Sequence, residues 1–66
     1  MKISLNGQSQ DIPNSTNLKN LIDQFCRDQK HIIAEINGNI VKAGQWEQRP
    51  LASGDIIELV NFVGGG

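Results

Sequence analysis

Hydrophobic positions along this chain change their period twice. The opening MKISLN alternates Met1, Ile3 and Leu5 with Lys2, Ser4 and Asn6, which predicts a half-buried strand, and Asn6-Gly7 follows as a tight-turn signal. The weaker stretch QSQDI predicts the second arm of a hairpin at a sheet edge. Pro13 closes it because proline has no N–H with which to extend a ladder. Over NSTNLKNLIDQFCRDQK the period lengthens. Leu18, Leu21, Ile22, Phe25 and Cys26 fall at i, i+3, i+4, i+7 and i+8, one apolar stripe of a helix of about three turns, capped by Thr16 or a neighbouring Ser or Asn. IIAEINGNIV returns to strand chemistry, with Ile32, Ile33 and Ile36 ahead of a second turn signal at Asn37-Gly38 and a short Ile40-Val41 arm. KAGQWEQRPLASGD predicts an irregular connection with a helical turn around Gln45 to Gln48, ended by Pro50 and the Ser53-Gly54-Asp55 turn. IIELVNFV is the last strand and the most apolar segment.

One helix with one apolar stripe needs one sheet to bury it. Two hairpin-like arms separated by that helix predict an α+β fold. In it, a mixed sheet of four to five strands wraps around the helix, with the first and last strands side by side in the middle. This is the β-grasp arrangement that ubiquitin and its relatives share. The domain is expected to span residues 1–63, followed by a flexible glycine tail over 64–66.

Composition narrows the function classes. A chain of 66 residues allows one domain and little room for a deep cleft. The formal net charge is −1, and Lys2, Lys19, Arg27, Lys30, Lys42 and Arg49 are scattered, so no basic face for nucleic acid is expected. The single cysteine cannot form an internal disulfide, the N-terminal stretch lacks the apolar run of a secretory signal, and no segment has the length of a membrane span. Cytoplasm is the expected compartment.

Catalytic constellations are absent from the pattern. His31 has no second histidine with which to build a zinc site and is expected to face solvent after the helix. Cys26, at an apolar helical position, reads as a buried inert thiol. Asp11, Asp23, Asp28, Glu35, Glu47, Asp55 and Glu58 show no spacing for paired acid–base work and read as solvated charges. Trp46, near Ala43, Gly44, Pro50 and Leu51, reads as the centre of a small cluster under the long connection.

What remains is the run Gly64-Gly65-Gly66. A phosphate-binding loop requires a helix after its glycines, and none is expected here. Glycine packs nothing and loses the most conformational freedom on ordering, so the run serves folding poorly. Directly after an apolar strand, it is expected to present a bare main-chain arm around which another protein can close, with the carboxylate of Gly66 as the reactive group. A free carboxylate is a poor electrophile. Joined to a nucleotide phosphate it gains a good leaving group, after which a sulfur nucleophile or an amine can take the acyl carbon.

MKISLNG, TNLKNLI, AEINGNIV, QWEQ and above all SGDIIELVNFVGGG together resemble the small sulfur carriers of thiamin biosynthesis, the ThiS family, along essentially the whole chain. The resemblance implies a carrier without catalytic residues that binds no cofactor of its own. An E1-like (ThiF-type) enzyme would use ATP to adenylate Gly66, a persulfide sulfur donor would convert it to a thiocarboxylate, and thiazole synthase (ThiG-type) would take the sulfur. Gly64 and Gly65 would form the flexible arm.

Alternation along the last strand places Ile57 and Leu59 toward the helix and Val60 and Phe62 on the opposite face, where an exposed apolar pair would suit partner docking. Three alternatives share parts of this reading. A molybdopterin-synthase small subunit would use the same tail chemistry, a ubiquitin-like modifier would join the tail to lysine, and a pure binding module would work without Gly65 and Gly66.

Overall fold

The computed structural model describes residues 1–61. Five strands, β1 (Lys2–Leu5), β2 (Gln8–Asp11), β3 (Ile32–Ile36), β4 (Asn39–Val41) and β5 (Ile56–Asn61), form one sheet in the order β2-β1-β5-β3-β4. β1 and β5 run parallel in its middle, and the pairs β1–β2, β3–β4 and β3–β5 are antiparallel. One helix, α1 (Leu18–Phe25), crosses between the two hairpins, and a 3-10 helix over Ala43–Gln48 lies in the long connection to β5. This is the ubiquitin-like β-grasp expected from the periodicity.

Both hairpins close on Asn-Gly, with positive φ at Asn6 (49°), Gly7 (83°), Asn37 (53°) and Gly38 (87°). Two consecutive left-handed residues define the turn whose twist matches that of the flanking strands, and asparagine followed by glycine adopts it at the least steric cost. Alternate residues of the strands then meet the helix stripe: Ile3, Leu5, Ala34, Ile36 and Ile57 pack with Leu18, Leu21 and Ile22, joined by Ile12, Trp46 and Leu51. The indole Nε1–H of Trp46 donates to the carbonyl of Val41 at 2.9 Å, so burial leaves its polar edge satisfied.

α1 begins at Asn17, whose side chain accepts from the Asn20 N–H at 2.7 Å while the Asn20 side chain accepts from the Asn17 N–H at 3.1 Å. This reciprocal box satisfies two backbone donors at a helix start. Nδ2 of Asn17 also donates to the Glu47 carbonyl, and Leu18 N–H and Leu51 N–H tie the helix entry to the segment around Pro50.

Two expectations are corrected. The helix stops at Phe25, and Cys26 is its C-cap in extended conformation, so the stripe runs past the helical geometry that would bury it. Phe25 is 46% exposed and Cys26 half-buried, because an open cleft lined by Leu5, Ile32, Leu59 and Asn61 separates the helix end from the sheet. Asp55 is not a solvated charge. It is buried, with Oδ1 accepting from Nδ2 of Asn37 at 3.0 Å and Oδ2 from the Ala52 N–H at 2.8 Å. Both carboxyl oxygens therefore find local donors in place of solvent.

Candidate functional site

β5 carries the chain from the middle of the sheet to the last described residue, Asn61, and three devices hold it. At its start, the Asn37 side-chain oxygen accepts from Ile56 N–H at 2.9 Å and the Asn37 N–H donates to the Ile56 carbonyl at 2.8 Å. Along the β3 side, pairing continues through Ile33↔Val60 to Ile32↔Asn61. On the β1 side, ladder contacts run from Ser4 N–H to the Asp55 carbonyl and from Asn6 N–H to the Ile57 carbonyl, each at 2.9 Å, before the chain turns off at Gly7. There the Asn6 side-chain amide takes over: Oδ1 accepts from Leu59 N–H at 2.8 Å and Nδ2 donates to the Leu59 carbonyl at 3.2 Å. The exit strand is thus paired on both sides as far as Leu59.

The faces of β5 divide as alternation requires. Ile57 is fully buried and Leu59 packs against the core, while Ile56, Glu58 and Val60 are exposed on the other side. Val60 (52% exposed) lies directly opposite Ile33 (39%), and Glu58 lies opposite Glu35, which in turn faces the exposed Ile40 across β4. An apolar surface with two adjacent carboxylates therefore covers the outer side of β3, β4 and β5. Like charges in directly opposed positions oppose pairing, so this arrangement is not explained by the sheet's own stability.

Of the residues picked from the sequence, Val60 falls where alternation places it. The acceptor Gly66, its neighbours Gly64 and Gly65, and the second docking residue Phe62 lie outside the described residues. Sequence reasoning missed Ile33, Ile40 and Ile56 as companions of Val60 because their common face exists only once β3, β4 and β5 are in register. It also missed the Asn6 clamp, since Asn6-Gly7 announces a turn but not what the Asn side chain reaches.

The other reactive side chains are accounted for by their surroundings. Burial pushes the Cys26 thiol above its ordinary range, which lowers its thiolate content and reactivity. His31 is exposed, as expected. Hydrogen bonds from Lys19 and then Gln29 hold the Asp23 carboxyl below the usual range, within an exposed helix-surface cluster. Among the described residues no group of His, Cys, Asp and Glu is arranged to hold a metal ion, and no helix is long and apolar enough to cross a membrane.

Comparison with known proteins agrees with the geometry. The ThiS family model matches residues 3–66. The chain is 34% identical over 62 residues to the uncharacterized protein ycf40 of Trieres chinensis, a match covering 94% of this chain and 85% of that one. It is also 30% identical, over its full 66 residues, to a thiazole synthase of Paramagnetospirillum magneticum, of which it spans only 20%. Among solved structures, the crystal structure of the thiamine biosynthesis protein ThiS from Geobacter metallireducens superposes with a TM-score of 0.86 at 23% identity, covering both chains fully. The solution structure of a thiamine biosynthesis protein from the same organism gives 0.80 at 26%, covering all of this chain and 88% of that one. With the β-grasp body, the clamped exit strand and a family match over nearly every residue, the chain belongs to the ThiS family and is a sulfur carrier of thiamin biosynthesis.

Proposed function

We propose that the chain works as a co-substrate rather than as an enzyme, delivering sulfur on the C-terminal carboxylate of Gly66. A carboxylate oxygen attacks the α-phosphorus of ATP in an E1-like (ThiF-type) partner, and pyrophosphate leaves. A persulfide sulfur then attacks the acyl carbon and AMP leaves. A thiol cleaves the resulting S–S bond, releasing a thiocarboxylate on Gly66 and a disulfide on the donor side. Thiazole synthase takes the sulfur from that thiocarboxylate. ATP belongs to the activating partner, and the carrier contributes access and a docking face. Gly64 and Gly65 supply backbone slim enough for a narrow channel.

The observation that carries this reading is the family match running through residue 66 on a domain whose exit strand leads toward those glycines. The match to part of a thiazole synthase supports that enzyme as the sulfur acceptor, in preference to a molybdopterin-synthase large subunit or a lysine of a target protein. The docking face is the outer surface of β5 and β3, centred on Val60 and Ile33. Its exposed apolar area is of the kind that marks interfaces, and Glu35 and Glu58 favour a partner that brings a cation.

Deleting Gly65 and Gly66 tests the assignment. The truncated chain is expected to keep the melting temperature of the parent and to lose sulfur transfer to thiazole synthase completely. Retained transfer contradicts the role of Gly66.

A further inference from the structure

The two Asn-Gly turns share their dipeptide and their left-handed backbone, yet their side chains serve different parts of β5. Asn37 holds the beginning, at Ile56, and its Nδ2 is occupied by the buried Asp55. Asn6 acts further along the strand, two residues before its last, where both polar atoms of its amide group engage Leu59. A carboxamide offers the same N–H and C=O pair as a peptide group. Where β1 turns away, Asn6 therefore supplies one more rung of ladder without more strand. Among the described residues, only β3 would otherwise pair with β5 beyond Ile57, and strand ends paired on one side open readily.

We propose that Asn6 is a positioning residue for acyl activation: by fixing the backbone of Leu59 it stiffens the last part of β5, the described segment from which the sequence continues to Gly66. The role rests on the sulfur-carrier reading above. A reacting group at the end of a short arm reaches a partner's active site only in a fraction of the arm's orientations, and narrowing that range raises the productive fraction. The outer docking face is on different residues, so the effect belongs in kcat for the carrier and not in KM.

The test uses the full chain with its ThiF-type activating enzyme and ATP, following pyrophosphate release, alongside amide hydrogen exchange of the free carrier. Asn6→Gly accepts the positive φ without strain and removes the amide. Asn37→Gly does the same at the start of β5 and serves as control. The expected result for Asn6→Gly is Leu59 N–H exchange faster by about tenfold, kcat lower by about fivefold and KM within about twofold, scaled to the loss of one or two ordinary hydrogen bonds. Asn37→Gly should lower the melting temperature at least as much while leaving kcat at the parent value. Asn6→Asp keeps the turn and the acceptor but loses the donor, and is expected to lower kcat in the same direction. Unchanged kcat in Asn6→Gly despite faster Leu59 exchange overturns the positioning role alone, as does an equal loss of kcat in Asn37→Gly. A parent chain that releases no pyrophosphate at all overturns the sulfur-carrier reading, and this role with it.

Discussion

Ile56 and Ile57 are neighbours of the same residue type on the same central strand, and the sheet treats them oppositely: Ile57 has no exposed surface, whereas Ile56 is 53% exposed. The same division runs across β3, where Ala34 and Ile36 are buried and Ile33 is not. The inner face meets α1 and the Trp46 cluster, while no described element covers the outer face. Apolar character in a strand thus has two uses in this molecule. On one side it builds the core, and on the other it supplies a surface that contributes little to folding and is free to meet a partner.

Truncation of the two isoleucines breaks the comparison most sharply. Ile57→Ala should cost about 2–5 kcal/mol in denaturant unfolding, through lost burial and the cavity left behind. Ile56→Ala should stay within about 0.5 kcal/mol, the usual range for a surface change. Equal losses would place Ile56 in the core. A second effect lies at the rim between the faces. Asp55→Ala leaves the Ala52 N–H and the Asn37 amide without their acceptor and is expected to cost about 1–3 kcal/mol, measured the same way.

The outer face is probed through binding. Val60→Thr keeps shape and strand propensity, so unfolding should change by no more than about 0.5 kcal/mol, while affinity for the activating enzyme, measured by calorimetry, falls several-fold. Smallest of all, Glu58→Gln removes the like-charge opposition to Glu35 and should raise stability by about 0.2–1 kcal/mol. If a partner cation meets the two carboxylates, the same change weakens docking, and its effect shrinks with added salt.

Strand and helix order, both hairpins, the central pairing of β1 with β5 and the outward placement of Val60 were legible in the sequence. The elements follow from local periodicity and from turn dipeptides of narrow conformational range, and the central pairing from two hairpins joined through one helix. Phe25 and Cys26 continue the helical stripe in sequence, but a periodic pattern carries no information on where the opposing sheet stops covering it. Asp55 sits in a Ser-Gly-Asp turn that reads as solvent-exposed. In the fold it accepts from Asn37, eighteen residues away in the turn between β3 and β4. The Asn6 clamp is illegible for the same reason, since it joins residues 53 apart in sequence through a side chain whose local role is already accounted for by the turn. Long-range polar contacts leave no period in the chain, whereas burial of one face does.

The central claim is that Gly66 is the atom-transfer site and the folded body its presenter. Intact-mass analysis of the carrier after incubation with the activating enzyme, ATP, a persulfide donor and a thiol reductant tests it most directly. The account predicts replacement of a single oxygen by sulfur, localised by fragmentation to Gly66 and abolished when ATP is withheld. An unchanged mass under conditions where ATP is consumed, or a sulfur atom found on Cys26 instead, would contradict it.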